Sequence, residues 1–151
     1  MGLNYQKEAM FQSPGSYCTV QLNSTHTMVT GGMLDFDLGA IAEVWLYDWS
    51  QDIWIQGPSM ENARRQHTCV NLGEGRVMLA GGVNDYGEET LTVEIFYQNV
   101  GSWCRSIDFP EDQNCCSYGS KLVNWVGVPV WINGQHFWKF EEGQWLEIGQ
   151  E

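Results

Sequence analysis

The chain reads as an all-β protein assembled from about three copies of one four-stranded antiparallel sheet. Three observations carry that expectation. Aromatic residues make up 13% of the sequence, with 8 Trp, and Gly contributes 17 residues. Aromatic and β-branched side chains pack well on a pleated surface, and glycine serves the turns between short strands. Apolar positions alternate over short runs, as at Val20 and Leu22 or Val70 and Leu72. The third observation weighs most: a block of sequence recurs at a near-constant interval.

The first half of the block is YCTVQLNSTHTMVTGG, Tyr17 to Gly32, which aligns without a gap on HTCVNLGEGRVMLAGG, His67 to Gly82, at an offset of 50. Val20 falls on Val70, Leu22 on Leu72, Met28 on Met78, and Gly31-Gly32 on Gly81-Gly82. Val20 and Leu22 mark a first strand. Asn23–Thr25 and Gly73–Gly75 have the polar or glycine-rich composition of a hairpin turn. Met28–Thr30 and Val77–Ala80 form an apolar second strand, expected to be buried on both faces. A longer loop follows, Met33–Ala42 in one copy and Val83–Thr90 in the other.

The second half aligns at an offset of 49: EVWLYDWSQDIW, Glu43 to Trp54, sits over TVEIFYQNVGSW, Thr92 to Trp103. Val44 meets Val93, Tyr47 meets Phe96, and Trp54 meets Trp103, so an aromatic residue precedes the Trp by 7 positions in both copies. Val44–Tyr47 and Val93–Phe96 are third strands, and a tight turn leads to a fourth strand that carries the Trp. A worn third copy starts with LVNWVGVPVWING, Leu122 to Gly134, and ends on Phe140 and Trp145 with a turn 2 residues shorter. Four strands in a unit of this size make one blade of a β-propeller. The glycine pair suits strand ends crowded near the propeller axis, and the Trp offers each blade a large apolar surface to bury against its neighbour.

Gly31-Gly32, Tyr47-Asp48 and Trp54, then Gly81-Gly82, Glu94, Phe96 and Trp103, resemble the kelch repeat, and Trp145 closes its third copy. Pro58-Ser59-Met60 followed by Arg64-Arg65-Gln66-His67 is similar to the kelch linker that opens the next blade. The resemblance has departures: Tyr97 stands where the pattern has Asp, and the third copy has Asn133-Gly134 for the diglycine. The expected organisation is a blade at 17–60, a second at 61–105, and a degenerate third at 106–151. Residues 1–16 read as a linker or the tail of an earlier blade, since Met10 falls on Met60 and Ser13–Ser16 on Ala63–Gln66. Propellers close with roughly four to eight blades, and an open stack leaves two unpaired sheet edges. The expectation is therefore an incomplete ring: part of a longer propeller, or a chain that completes the ring with a second copy.

Composition narrows the function. Lys and Arg number 7 against 19 Asp and Glu, a formal charge of −12. Nucleic acids and anionic membrane surfaces are bound by clustered cations, so neither is an expected partner. No apolar run approaches the length of a membrane span. Residues 1–16 lack the apolar core of a signal peptide. The five cysteines (Cys18, Cys69, Cys104, Cys115, Cys116) have no CxxC spacing, which argues for mostly reduced, buried thiols, no zinc and a cytoplasmic chain. The Asn23-Ser24-Thr25 glycosylation sequon points the other way, toward secretion.

His26, His67 and His136 lie far apart with no ligand spacing between them, and no nucleophile–base set stands out. No cofactor or metal is expected. Binding is the better expectation, because a rigid scaffold that positions loops is a recognition device. The kelch resemblance implies contacts from the linkers and from the loops after the diglycine. Those positions are Arg64, Arg65 and Gln66 in the linker, and Asp35, Asp37, Asn84, Asp85 and Tyr86 in the loops. The resemblance also implies a protein or peptide partner, as in ubiquitin-ligase substrate adaptors. The alternative is a fragment of a carbohydrate-active kelch enzyme or of one similar to galactose oxidase, whose copper ligands are not recognisable in this sequence.

Overall fold

Short apolar runs punctuated by glycine become strands throughout. The computed structural model describes residues 16–33, 39–109, 120–134 and 136–149. The first sheet holds β1 (Cys18–Gln21), β2 (His26–Thr30), β3 (Val44–Asp48) and β4 (Ile53–Gln56). The second holds β5 (Thr68–Gly73), β6 (Arg76–Ala80), β7 (Val93–Tyr97) and β8 (Ser102–Arg105). The third holds β9 (Lys121–Trp125), β10 (Val128–Asn133), β11 (His136–Glu141) and β12 (Gln144–Ile148). Strands lie in chain order within each sheet, every neighbour antiparallel. No described segment is a helix long and apolar enough to cross a membrane.

The aromatic–Trp spacing has a geometric origin. Tyr47 lies directly across from Trp54, Phe96 from Trp103, and Phe140 from Trp145. Ring centroids are 4.9, 5.3 and 5.1 Å apart in the three sheets. The third turn is shorter, yet the same cross-strand pair forms, because register rather than sequence distance sets the contact. The turns themselves differ. Asp48 Oδ1 accepts hydrogen bonds from Ser50 N at 2.9 Å and Ser50 Oγ at 2.6 Å, and the Ser50 hydroxyl holds the carboxyl below its ordinary pKa. In the second sheet Tyr97 replaces that Asp, and the turn closes by backbone alone, from Gly101 N to Tyr97 O at 2.8 Å.

The sheets stack side by side through their first strands, with β5 between β1 and β9. Asparagines stitch the stack: Asn71 Nδ2 donates to Gln21 O at 2.6 Å, and Asn124 Nδ2 donates to Asn71 O at 2.8 Å. A disulfide joins Cys18 on β1 to Cys69 on β5, with Cα atoms 6.2 Å apart. The expectation of reduced thiols fails for this pair. A separation of 51 residues, close to the repeat interval, brings the two cysteines abreast on neighbouring blades. Cys104 is free and exposed, and Cys115 and Cys116 lie outside the described residues.

Two apolar layers fill the gaps between blades. Leu22, Met28, Val44 and Met60 meet Val77, Leu79 and Phe96 in the first. Leu72, Met78, Val93, Ile95 and Phe109 meet Leu122, Trp131 and Trp145 in the second, where Phe109 stacks on Trp131 at 3.9 Å. The fourth-strand Trp reaches back to the linker before its own blade. Trp103 Nε1 donates to Pro58 O at 2.9 Å, and Trp145 Nε1 to Ile107 O at 3.1 Å. One hairpin tip runs against its backbone preference: Val126, 90% exposed, takes φ 51° ahead of Gly127 at φ 83°.

In each of the first two blades one glycine of the pair is tightly crowded, by the backbone of the linker and the side chain of His67. A Cβ on Gly31 (φ 62°) would meet Arg64 O at 2.3 Å, and one on Gly82 (φ 87°) would meet Arg65 O at 2.4 Å. Both the space and the backbone conformation require glycine.

Candidate partner-binding face

The diglycine ends of β2 and β6 lie at the opposite end of the strands from the hairpin tips, so the linker and the long loops share one face. Backbone hydrogen bonds assemble it. The linker between the first two blades is tied to the first by Met60 N to Ala42 O at 2.9 Å and Arg64 N to Ile41 O at 3.1 Å. It is tied to the second by a reciprocal pair, Arg65 N to Val83 O and Val83 N to Arg65 O, both 2.9 Å. A Cβ on Gly39 would meet Asp85 O at 2.6 Å, so the two post-diglycine loops also touch.

Arg64 does not belong to this face. Its side chain is fully buried and points into the second blade. Nη1 donates to Gly81 O at 3.1 Å and Thr92 O at 2.9 Å, and Nη2 to Thr92 Oγ1 at 2.9 Å and Glu94 Oε2 at 2.6 Å. Glu94 in turn accepts Glu61 N at 2.6 Å and Asn62 N at 3.3 Å, so the pair fastens the linker to the sheet. Burial pushes the Arg64 guanidinium down from its usual range, and Glu94 opposes the shift. Arg64 is therefore corrected from a partner contact to an internal clamp. Glu94 left a signal in the sequence: an acid between Val93 and Ile95, in a strand with no other charge, needs a buried partner.

Other positions sort themselves by their bonds. Arg65 is half-buried and Gln66 exposed, the latter at φ 54° with its N–H on Ser16 O at 2.7 Å. Asn84 is a loop organiser, since its Oδ1 accepts Tyr86 N and Glu88 N, both at 2.9 Å. That leaves Tyr86 at the loop tip, 81% exposed, between exposed Asp85 and Glu88. Asp35 and Asp37 lie outside the described residues.

His67, at the end of the linker and beneath the face, is a core residue. Its Nε2 lies 2.8 Å from Thr30 Oγ1 across the first blade junction. Thr30 Oγ1 is 3.3 Å from Cys18 O, which suits it as donor there and acceptor from Nε2–H. His67 Nδ1 then keeps a bare lone pair. Burial, with the Arg64 charge adding, pushes this imidazole down to about 3, so it is neutral at physiological pH. His26 pairs with Asp48 at 3.5 Å and His136 with Glu147 at 2.9 Å. Among the described residues no three of His, Cys, Asp and Glu gather as a metal site.

Comparison with known proteins follows the same lines. No protein-family model matches the chain. Kelch-like protein 23 of Homo sapiens is 43% identical over 54 residues, 36% of this chain and 10% of that one. An F-box/kelch-repeat protein of Arabidopsis thaliana is 28% identical over 119 residues, 76% of this chain and 29% of that one. Galactose oxidase of Gibberella zeae is 34% identical over 58 residues, 38% of this chain and 8% of that one. The matched regions thus span less than a third of these relatives' lengths. Among solved structures, that of YjhT superposes with a TM-score of 0.72 at 13% identity, over 89% of this chain and 51% of that one. Repeat pattern, sheet architecture and these likenesses together identify the chain as a set of kelch-type β-propeller blades.

Proposed function

We propose that the chain is a non-catalytic protein-binding module whose contact face is the linker and post-diglycine loops of the first two blades. The reciprocal backbone pair between Arg65 and Val83 carries this reading, because it makes two separate segments one preorganised surface. Preorganisation lowers the entropy cost of binding. Tyr86 is the anchor, a rigid amphipathic side chain of the kind enriched in binding hot spots. Arg65 and Gln66 supply donors beside it.

The burial of Arg64 changes the partner's expected chemistry. Arg65 pairs with Val83, at the base of a loop whose exposed residues include Asp85, Glu88 and Glu89. Such a surface on a chain of charge −12 steers basic segments toward it and repels acidic ones. The partner is a protein or peptide of net positive charge, with Arg65 meeting a single carboxylate or carbonyl. Panning a displayed peptide library on the immobilised chain tests this. Recovered peptides should be rich in Lys and Arg. Tyr86→Ala should weaken them about 30-fold, as for a hot-spot residue, and Arg65→Ala should weaken them less. Peptides indifferent to both substitutions would remove the face from consideration.

Likeness to kelch-like and F-box/kelch-repeat proteins supports a narrower reading, a recognition segment of a ubiquitin-ligase adaptor. The identity to galactose oxidase favours a second, a piece of an oxidase. Copper in the purified chain by elemental analysis would reverse the order of the two.

A further inference from the structure

The β1–β2 hairpin tip carries the chain's one Asn-x-Ser/Thr sequon, and its geometry suits a carrier of sugar. Asn23 Oδ1 accepts from Thr25 N at 2.9 Å, Thr25 Oγ1 at 3.1 Å and His26 N at 2.8 Å, and lies 3.2 Å from His26 Nδ1. An amide pinned through its oxygen turns its nitrogen the other way. Asn23 Nδ2 has no hydrogen bond among the described residues and is not one of their buried, unpaired polar atoms, so it meets solvent. N-glycosylation replaces one Nδ2 hydrogen and leaves Oδ1 untouched, so the turn and a glycan are compatible.

The second observation is the Cys18–Cys69 disulfide. Such cross-links persist in oxidising compartments and are rare in the cytosol. N-linked glycans belong to secreted chains. Two chemically unrelated features therefore point to one environment, against the cytoplasmic expectation.

We propose that Asn23 is N-glycosylated and that the chain matures in an oxidising secretory compartment. The donor class is a lipid-pyrophosphate-linked oligosaccharide. A bond forms between Asn23 Nδ2 and the sugar C1, the C1–O bond to pyrophosphate breaks, the lipid pyrophosphate leaves, and the amide proton passes to a base. The glycan then stands at the far end of β2 from Gly31-Gly32, about 17 Å along a five-residue strand. It shields the hairpin end of the blades and leaves the linker face open. The corresponding tips at Gly73–Gly75 and Val126-Gly127 carry no sequon. This inference stands independently of the binding proposal.

Peptide mapping without reduction, on the chain isolated from its own cells, tests it. The expected map shows Asn23 bearing an N-glycan, converted to Asp by peptide-N-glycosidase, and Cys18 linked to Cys69. A bare Asn23, with the cysteines linked or free, overturns the proposal, and so does a glycan on a chain whose Cys18 and Cys69 are free thiols. A recombinant chain secreted from eukaryotic cells provides the second measurement. Asn23→Asp keeps the acceptor oxygen but removes the carrier nitrogen, so it should lose the mass shift while keeping the thermal midpoint of the deglycosylated protein. A midpoint for the glycosylated form below that of Asn23→Asp would show the sugar to be incompatible with the turn, and would overturn the assignment.

Discussion

At the scale of single residues, Arg64 shows how a position resembling a binding site can be structural, and His67 how a strand-end histidine can join the core. The Arg64–Glu94 pair is desolvated on both sides and also satisfies Gly81 O, Thr92 O and two linker N–H groups. Removing one member of a buried pair strands the other, at a cost of about 3–5 kcal/mol. Arg64→Met should lower unfolding stability by that amount in urea titration, and adding Glu94→Gln should cost much less than a second such loss. His67 makes the stability depend on pH. Its folded pKa lies near 3, below the ordinary 6.5, so the unfolded chain binds the extra proton across that window. Stability contributed by the neutral ring is complete above about pH 6.5 and falls by about 1.4 kcal/mol per unit on acidification. Thermal melts from pH 7 to 4 should show this slope in the wild type and a shallower one in His67→Gln. The His67 role was not legible in the sequence, because it depends on which groups from distant strands surround the ring. The Arg64 clamp was half-legible, through the buried acid at Glu94 and the linker's kelch resemblance. The exposed Tyr86 was legible, since a loop tip rich in Asn, Asp and Gly has little else to bury it.

Among the elements, the strands were far more readable than the joints between them. Alternation and the polar or glycine-rich turns located the hairpins, and a constant interval located the repeats. Lateral register between blades has no such signature. Asn71 and Asn124 look like ordinary polar strand residues until β1, β5 and β9 are seen side by side. The disulfide was obscured for the same reason. Five cysteines without motif spacing argue for free thiols, yet a separation near the repeat interval is what places two of them on adjacent inner strands. Closing a loop of 51 residues restricts the unfolded chain by about 4 kcal/mol. Reduction, or Cys18→Ser with Cys69→Ser, should therefore lower the thermal midpoint by many degrees, and an unchanged midpoint would show that the bridge is idle.

For the whole molecule, each blade buries its apolar faces mainly against neighbouring blades. The first two are joined by an apolar layer, the disulfide and the Arg64 clamp, and the second and third by the layer around Phe109 and Trp131. Stability is then a sum over junctions, as in repeat proteins whose units contact only their neighbours. Trp131→Ala should cost about 3–5 kcal/mol and act unevenly. Hydrogen exchange should lose protection across β9–β12 first while β5–β8 retain theirs, and uniform loss would indicate a single cooperative unit.

Val126 has a consequence for anyone wishing to engineer this chain. A β-branched residue at φ 51° opens a two-residue hairpin loop that glycine or asparagine fills at little steric cost. The side chain is 90% exposed and contributes little to the packing. Replacing it with Asn should raise the unfolding midpoint, by about 1 kcal/mol in stability terms, with no other part of the fold disturbed. The tip of the third blade is thus the easiest gain open to a designer: one codon, no core to repack, and a surface far from the proposed recognition loops.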